Sequence, residues 1–316
     1  MLDALNPEIE HDGLSGPLGG RVAVLIGWGS GQSRRHDTVY RTLASRIEAR
    51  SGTIVNSPIE KPVDQQLNDL KGVDSDLIVA VGGDGTVNAA ASLALARDAV
   101  LAIMPMGTMN LLAQDYGGVV DPQDIDRGCV RRVDVGFVGE RPFFHSAVIG
   151  IVPEIAEYRE AARQDESLRG RLAHWTEAGG RAIASEPISM RIETEHGAIS
   201  TATRSVVVSN NPLTDVGVLQ HKRLSVDAGR LGVYISDHAG TFAAIKNLVT
   251  IGTGRFYDDP EVYSGVCTRV RITPDRERLP ITIDGELHEM DAPLEFSLRP
   301  RALSVLSPAP GSEVTS

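Results

Sequence analysis

Cysteines, aromatic residues and long apolar runs are what this chain has least of, and each scarcity removes a class of protein. Only two cysteines occur in 316 residues, Cys129 and Cys267, far apart and never in a Cys-x-x-Cys spacing. Neither a zinc ribbon nor a disulfide scaffold can be built from them, which fits two ordinary thiols in a reducing compartment. Aromatics make up 4% of the chain, too few for a base-stacking platform. The net charge of −11 works in the same direction, because phosphate backbones favour basic surfaces. No apolar run approaches the roughly 20 residues that span a bilayer. The acidic, interrupted start MLDALNPEIEHDG carries no recognisable secretory signal. The expectation is a cytoplasmic protein with no nucleic-acid partner, whose meetings with membrane are transient and peripheral. Hydrophobic residues at 41% and charged residues at 23% leave ample material for two domains with their own cores.

From Arg21 the pattern alternates strand and helix. RVAVLI (21–26) predicts a strand, and residues 37–50 a helix, with Val39, Leu43 and Ile47 on one face and Gly52 beyond its end. TIVN (53–56) reads as a weak strand, 63–71 as a helix, and DLIVAV (76–81) as a buried strand. The alanine-rich stretch after Thr86 reads as a helix, and VLAIM (100–104) as a further strand. Such alternation implies a parallel sheet covered by helices. Beyond about residue 130 the period shortens to two: Ile188, Met190 and Ile192 alternate with polar neighbours, and TRSVVVSN, RLGVYIS, TRVRIT and ITID follow in that style. LEFSLRP and ALSVL close this β-rich half. Helical stretches are expected around 154–184 and 241–250.

Glycine is placed where chemistry could use it. Gly82-Gly83-Asp84-Gly85-Thr86 follows a buried strand and precedes a helix. Such a turn lets backbone approach a ligand closely, and the helix start offers unpaired N–H groups that suit phosphate. Asp84 would repel phosphate directly, so its use there is to hold Mg²⁺ or to orient groups through water. Taken alone the turn is an ordinary βα connection. Pro105-Met106-Gly107-Thr108-Met109-Asn110 forms a second glycine turn after a strand, and Gly27-Trp28-Gly29-Ser30-Gly31 a third. In an open α/β sheet all would sit at the carboxyl ends of strands, where ligands bind. Gln32 replaces the last glycine of a dinucleotide fingerprint, and no Walker A sequence occurs.

GGDGTVN followed by PMGTMN resembles the diacylglycerol kinase catalytic domain family, which includes sphingosine and ceramide kinases. The resemblance runs from about Arg21 to Pro308 and takes in VDVGFV (133–138), Asn210-Asn211-Pro212, VDAGRL (226–231) and ITIDGEL (281–287). It implies an ATP- and Mg²⁺-dependent lipid kinase. By that resemblance Gly82, Gly83, Asp84, Gly85, Thr86, Asn88, Gly107 and Thr108 bind ATP, with Gly29, Ser30 and Gly31 of the first loop. Asn56 or Ser57 stands near an expected nucleotide contact. Asp84 is the implied magnesium ligand, and Asp284 and Glu286 are implied catalytic residues, Glu286 as general base. Read without the resemblance, Asp284-Gly285 is a hairpin turn. Three positions depart from the pattern: Gly27-Trp28 replaces Asn-Pro, Ala89 an acidic residue, and Ala228 an aspartate of a structural magnesium site.

The expected architecture is α/β plus β. A three-layer nucleotide-binding domain spans 1–135, with 299–316 returning to it. A β-sandwich-like lipid-substrate domain spans 136–298, with ATP in the cleft between them. The implied acceptor is the free hydroxyl of diacylglycerol or of a ceramide or sphingoid lipid. The alternatives are an NAD or sugar kinase sharing GGDGT, or a non-catalytic nucleotide- or lipid-sensing relative. Arg34 and Arg35 could neutralise phosphate or simply face solvent. Arg159, Arg163, Arg169 and Arg171, around Ile155 and Trp175, read either as a solvated face or as the membrane contact of 151–184. The eight histidines show no HExxH spacing, and no GxSxG elbow supports a hydrolase. Oligomeric state is open, a homodimer included.

Overall fold

The computed structural model describes residues 18–27, 33–58, 60–107, 110–117, 122, 125, 128–150, 186–215, 221–223, 225–236 and 262–307. Its elements begin with β1 (Arg21–Ile26), α1 (Ser33–Ala49), β2 (Thr53–Ile54), α2 (Val63–Asp69), β3 (Leu77–Gly82), α3 (Asp84–Arg97), β4 (Val100–Pro105) and α4 (Leu111–Tyr116). Strands β5 (Cys129–Val138), β6 (Arg141–Phe143), β7 (Ser146–Gly150), β8 (Ile188–Thr194), β9 (Gly197–Thr203) and β10 (Ser205–Asn210) follow. The series ends with β11 (Leu213–Asp215), β12 (His221–Arg223), β13 (Leu231–Ser236), β14 (Val262–Cys267), β15 (Arg269–Pro274), β16 (Arg278–Ile283), β17 (Glu286–Asp291) and β18 (Leu294–Ser307). Two compact units result: Met1–Val133 with Arg301–Ser316, and Asp134–Pro300.

The first unit is built on parallel strands in the order β2-β1-β3-β4, with the end of β18 alongside β4. Strand β3 is buried along its whole length, and Val22, Val24, Val79, Val81, Ala102 and Leu306 share one core cluster with Leu43 and Ile47 of α1. Order 2-1-3-4 reverses direction between β1 and β3, so the switch point of this sheet lies at the carboxyl ends of those two strands. Helix α1 begins at Ser33 rather than at residue 37. The buried side chain of His36 extends the inward stripe of Leu43 and Ile47 where the periodicity looked for an apolar residue.

Strand β2 pairs with β1 for only two residues, which would leave the rest of that β1 edge bare. Two side-chain amides take over. Asn56 Oδ1 accepts from Val24 N–H at 2.9 Å and its Nδ2 donates to Val24 C=O at 2.7 Å. Gln66, fully buried, does the same for Ile26 at 2.9 and 2.7 Å, and also donates to Lys61 C=O. The two amides imitate the strand that β2 fails to continue, because a buried backbone group left unpaired is costly.

The second unit is a sandwich of two antiparallel layers. One carries β9-β8-β15 and the start of β18; the other runs β14-β13-β10-β7-β16-β17. Ile188, Met190 and Ile192 of β8, Val270 and Ile272 of β15, and Phe296 of β18 meet Ile149, Val206, Val208, Val233 and Ile281 of the other layer in one core cluster. This is the two-residue alternation that the sequence shows, used to bury one face of each sheet. The helical stretches expected around 154–184 and 241–250 lie outside the described residues.

Candidate active site

Strands β1, β3 and β4 are neighbours and parallel, so their following turns emerge side by side. The turns touch through glycine. A Cβ on Gly27 would come within 2.2 Å of Thr86 Oγ1, and one on Gly82 within 2.8 Å of the same atom. A Cβ on Gly107 would lie 2.6 Å from Gly83 Cα. Four of the glycines therefore have packing reasons, and Thr86, buried among them, joins the turns after β1 and β3. Gly85 differs: it is exposed, its φ is not positive, and a Cβ there would meet nothing within 4 Å. Neither packing nor backbone geometry asks for glycine at that position, and the space beside it is open.

Helix α3 starts at Asp84, three residues earlier than the alanine-rich pattern suggests. Gly83 caps it in extended geometry, and Val87 N–H closes the first turn on Gly83 C=O at 3.1 Å. No side-chain cap bonds that N-terminus, which leaves first-turn amides and the positive end of the helix dipole at the switch point. Asp84 is the informative residue there. Its Oδ1 is buried and has no hydrogen-bond partner among the described residues. An orphaned carboxylate oxygen is expensive unless something binds it, and a hard oxygen donor fits Mg²⁺. Among the described residues no cluster of three or more metal-ligating side chains occurs, so the chain would supply few ligands and phosphate and water the rest.

Two asparagines of this unit bond to its own backbone. Asn56 spends both ends of its amide on Val24, so it continues a sheet edge. Asn110, in left-handed conformation, accepts from Gly107 N–H at 2.9 Å and donates to Gly107 C=O at 2.8 Å, closing the second glycine turn. Asn88 lies in the second turn of α3, half-buried. Trp28, Gly29, Ser30, Gly31 and Thr108 lie outside the described residues, as do the side chains of Arg34 and Arg35.

The Asp-Gly pair of the second unit is a hairpin turn, as its own residues suggest. Ile283 pairs with Glu286, and Asp284 and Gly285 between them have φ of 48° and 90°. Both values are positive, the signature of the tight turn that Asp-Gly favours. The Asp284 side chain turns back onto the chain. Its Oδ2 accepts from Phe144 N–H at 2.7 Å, and its Oδ1 from His145 and Ser146 N–H at 2.8 and 2.9 Å. Burial pushes the Asp284 carboxyl up from the usual carboxylate range, while those amides and nearby His145 pull it back. Glu286 is free of that anchorage, with its side chain 64% exposed and Oε2 3.9 Å from His288 Nε2. Burial lowers the His288 pKa and Arg141 adds to the effect, against the pull of Glu286.

At the departed magnesium position, Ala228 N–H donates to Asn211 Oδ1 at 3.0 Å, and Gly229 N–H to Asp134 Oδ2 at 2.7 Å. That turn is closed by hydrogen bonds and has no carboxylate at 228, so it does not fit a structural metal. Sequence reasoning missed Arg223, His145 and Gln66, all embedded by contacts to distant backbone or side chains.

Comparison with known proteins matches this arrangement over most of the chain. Residues 21–138 match the diacylglycerol kinase catalytic domain, and 155–307 the YegS C-terminal NAD kinase beta sandwich-like domain. The chain thus carries the catalytic domain of the diacylglycerol kinase family. It is 24% identical over 241 residues to a provisionally named lipid kinase of Streptococcus pneumoniae, covering 73% of this chain and 79% of that one. It is also 24% identical over 251 residues to the diacylglycerol kinase of Bacillus subtilis, covering 75% and 80%. A solved structure of a provisionally named diacylglycerol kinase from Bacillus anthracis superposes with a TM-score of 0.65 at 18% identity, over 92% of this chain and 97% of that one. That likeness shows the fold. Among the described residues no helix is long and apolar enough to cross a membrane.

Proposed function

We propose that this protein transfers the terminal phosphate of ATP to the free hydroxyl of a membrane lipid, diacylglycerol or a ceramide-like lipid. The observation that carries the reading is the orphaned Asp84 oxygen beside open Gly85, at an uncapped helix start on the sheet's switch point. First-turn amides of α3 hold phosphate oxygens, and Asp84 would hold Mg²⁺, which when bound neutralises phosphate charge. Glu286 orients the lipid hydroxyl and accepts its proton. The hydroxyl oxygen bonds to the terminal phosphorus as the bond to the bridging oxygen breaks, leaving ADP and a lipid phosphate. Asp284, occupied by three amides, positions the turn.

The test is purified protein with ATP against diacylglycerol, ceramide, sphingosine and NAD, with products identified by mass. Phosphorylated NAD alone would overturn the lipid reading. Glu286→Gln keeps shape and one hydrogen bond but loses basicity, so turnover is expected to fall about 10²–10⁴-fold with little change in ATP affinity. Turnover within a few-fold of wild type would remove Glu286 from the chemistry. Peripheral membrane contact is assigned to 151–184 on its arginines alone. Arg163→Glu with Arg169→Glu should then abolish salt-sensitive flotation with anionic vesicles, and unchanged flotation would place the contact elsewhere.

A further inference from the structure

The short segment Phe144–Ser146 is held from two sides. On one side its three amide N–H groups converge on Asp284. On the other, the carbonyl of Phe144 accepts from Arg223 Nη2 and, at 3.1 Å, from Asn210 Nδ2. Arg223 Nη2 also lies 3.1 Å from His145 Nδ1. Arg223 is only 4% exposed, a depth at which a guanidinium is costly unless another charge answers it. An answer lies across a single peptide group. The carbonyl of the 144–145 peptide faces the cation, and the N–H of the same peptide faces the Asp284 carboxylate. The peptide dipole is aligned between the two charges, so each hydrogen bond polarises and strengthens the other. Arg223 itself is placed by β12, where it pairs with Leu213, whose N–H and C=O are both tied to the Tyr234 hydroxyl at 2.7 and 3.1 Å.

We propose that Arg223 is a positioning residue for phosphoryl transfer: through the 144–145 peptide it fixes the Asp284 carboxylate, and with it the turn that presents Glu286. The catalytic part of this rests on Glu286 serving the lipid hydroxyl. Its grip on the segment does not, and the two are measured separately.

Wild type, Arg223→Met and Arg223→Lys are compared by amide hydrogen exchange at His145 and Ser146, with Ile149 as control, and by steady-state kinetics with and without Asp284→Asn. Arg223→Met should speed exchange at His145 and Ser146 by about tenfold or more while leaving Ile149 alone. It should lower kcat by about 10–100-fold with KM for ATP within about twofold, since positioning and not nucleotide binding is lost. Arg223→Lys, which keeps the charge without the fork, should fall between. In the Asp284→Asn background the same change should cost about twofold or less, because the two act as one unit. If Arg223→Met does not fold, Arg223→Lys carries the exchange test alone. Unchanged exchange in the folded variants overturns the proposal, as does an equal loss of kcat with and without Asp284. Wild-type protein that phosphorylates no lipid would overturn the kinase reading and the catalytic meaning of Arg223, while the exchange arm still decides whether Arg223 holds the segment.

Discussion

Asp84 and Asp284 both stand where a strand ends, and their surroundings give them opposite tasks. Asp84 has a buried oxygen that nothing among the described residues satisfies, while Asp284 has three amides on its carboxylate. Asparagine at each position should separate the tasks. Asp284→Asn turns an NH₂ toward amide donors and should destabilise by about 1–3 kcal/mol, read from urea unfolding. Asp84→Asn removes an uncompensated charge and should leave stability within about 0.5 kcal/mol or raise it, while turnover collapses. Equal stability losses would mean that Asp84 is a structural residue. The sequence shows both aspartates at glycine turns, and the hairpin role of Asp284-Gly285 is legible from those two residues. The orphaned oxygen is not, because it depends on what the tertiary fold leaves out of reach.

At the scale of elements, the alternating strands β1, β3 and β4 and the two-residue period of β8 are legible because burial imposes a period on them. The clamps by Asn56 and Gln66 carry no period. Each joins a lone amide side chain to a strand more than thirty residues away, so Asn56 reads equally well as a nucleotide contact. Their structural value can be measured. Gln66→Leu fits the space but strands Ile26 N–H and C=O, and should cost about 1–3 kcal/mol for each group left unpaired. The loss should appear as a lower urea midpoint with an unchanged slope. A midpoint at the wild-type value would mean that water or a shifted backbone satisfies the β1 edge. Strand β18 is a different failure of legibility. LEFSLRP and ALSVL read as separate segments, yet one strand runs through both and through Arg301, whose φ is 49°.

For the whole molecule, pH adds a directional prediction. His288 has its pKa lowered in the folded state, by burial first and then by Arg141. The unfolded chain therefore binds a proton there more readily. Its contribution to stability is complete above the unfolded value of 6.5 and is lost as pH falls below it. Asp76, held below its ordinary value by Arg21, loses its contribution only at more acidic pH. Thermal midpoints should thus decline from pH 7.5 toward 5.5, and His288→Gln should flatten that decline. A slope unchanged in the variant would assign it to another group.

The last strand also sets a timetable. Ser304 and Val305 lie beside Val100 and Leu101 and flank the parallel run β2-β1-β3-β4, whose four strands are all made in the first third of the chain. On a ribosome adding about 5–20 residues per second, the roughly two hundred residues from β4 to the end of β18 take about 10–40 seconds to emerge. Throughout that interval the β4 edge has no permanent neighbour, and an unpaired parallel edge rich in Val, Leu and Ile is a template for the wrong partner. A nascent chain stalled before residue 301 should therefore recruit chaperones or aggregate, although every residue of its glycine turns has already been made.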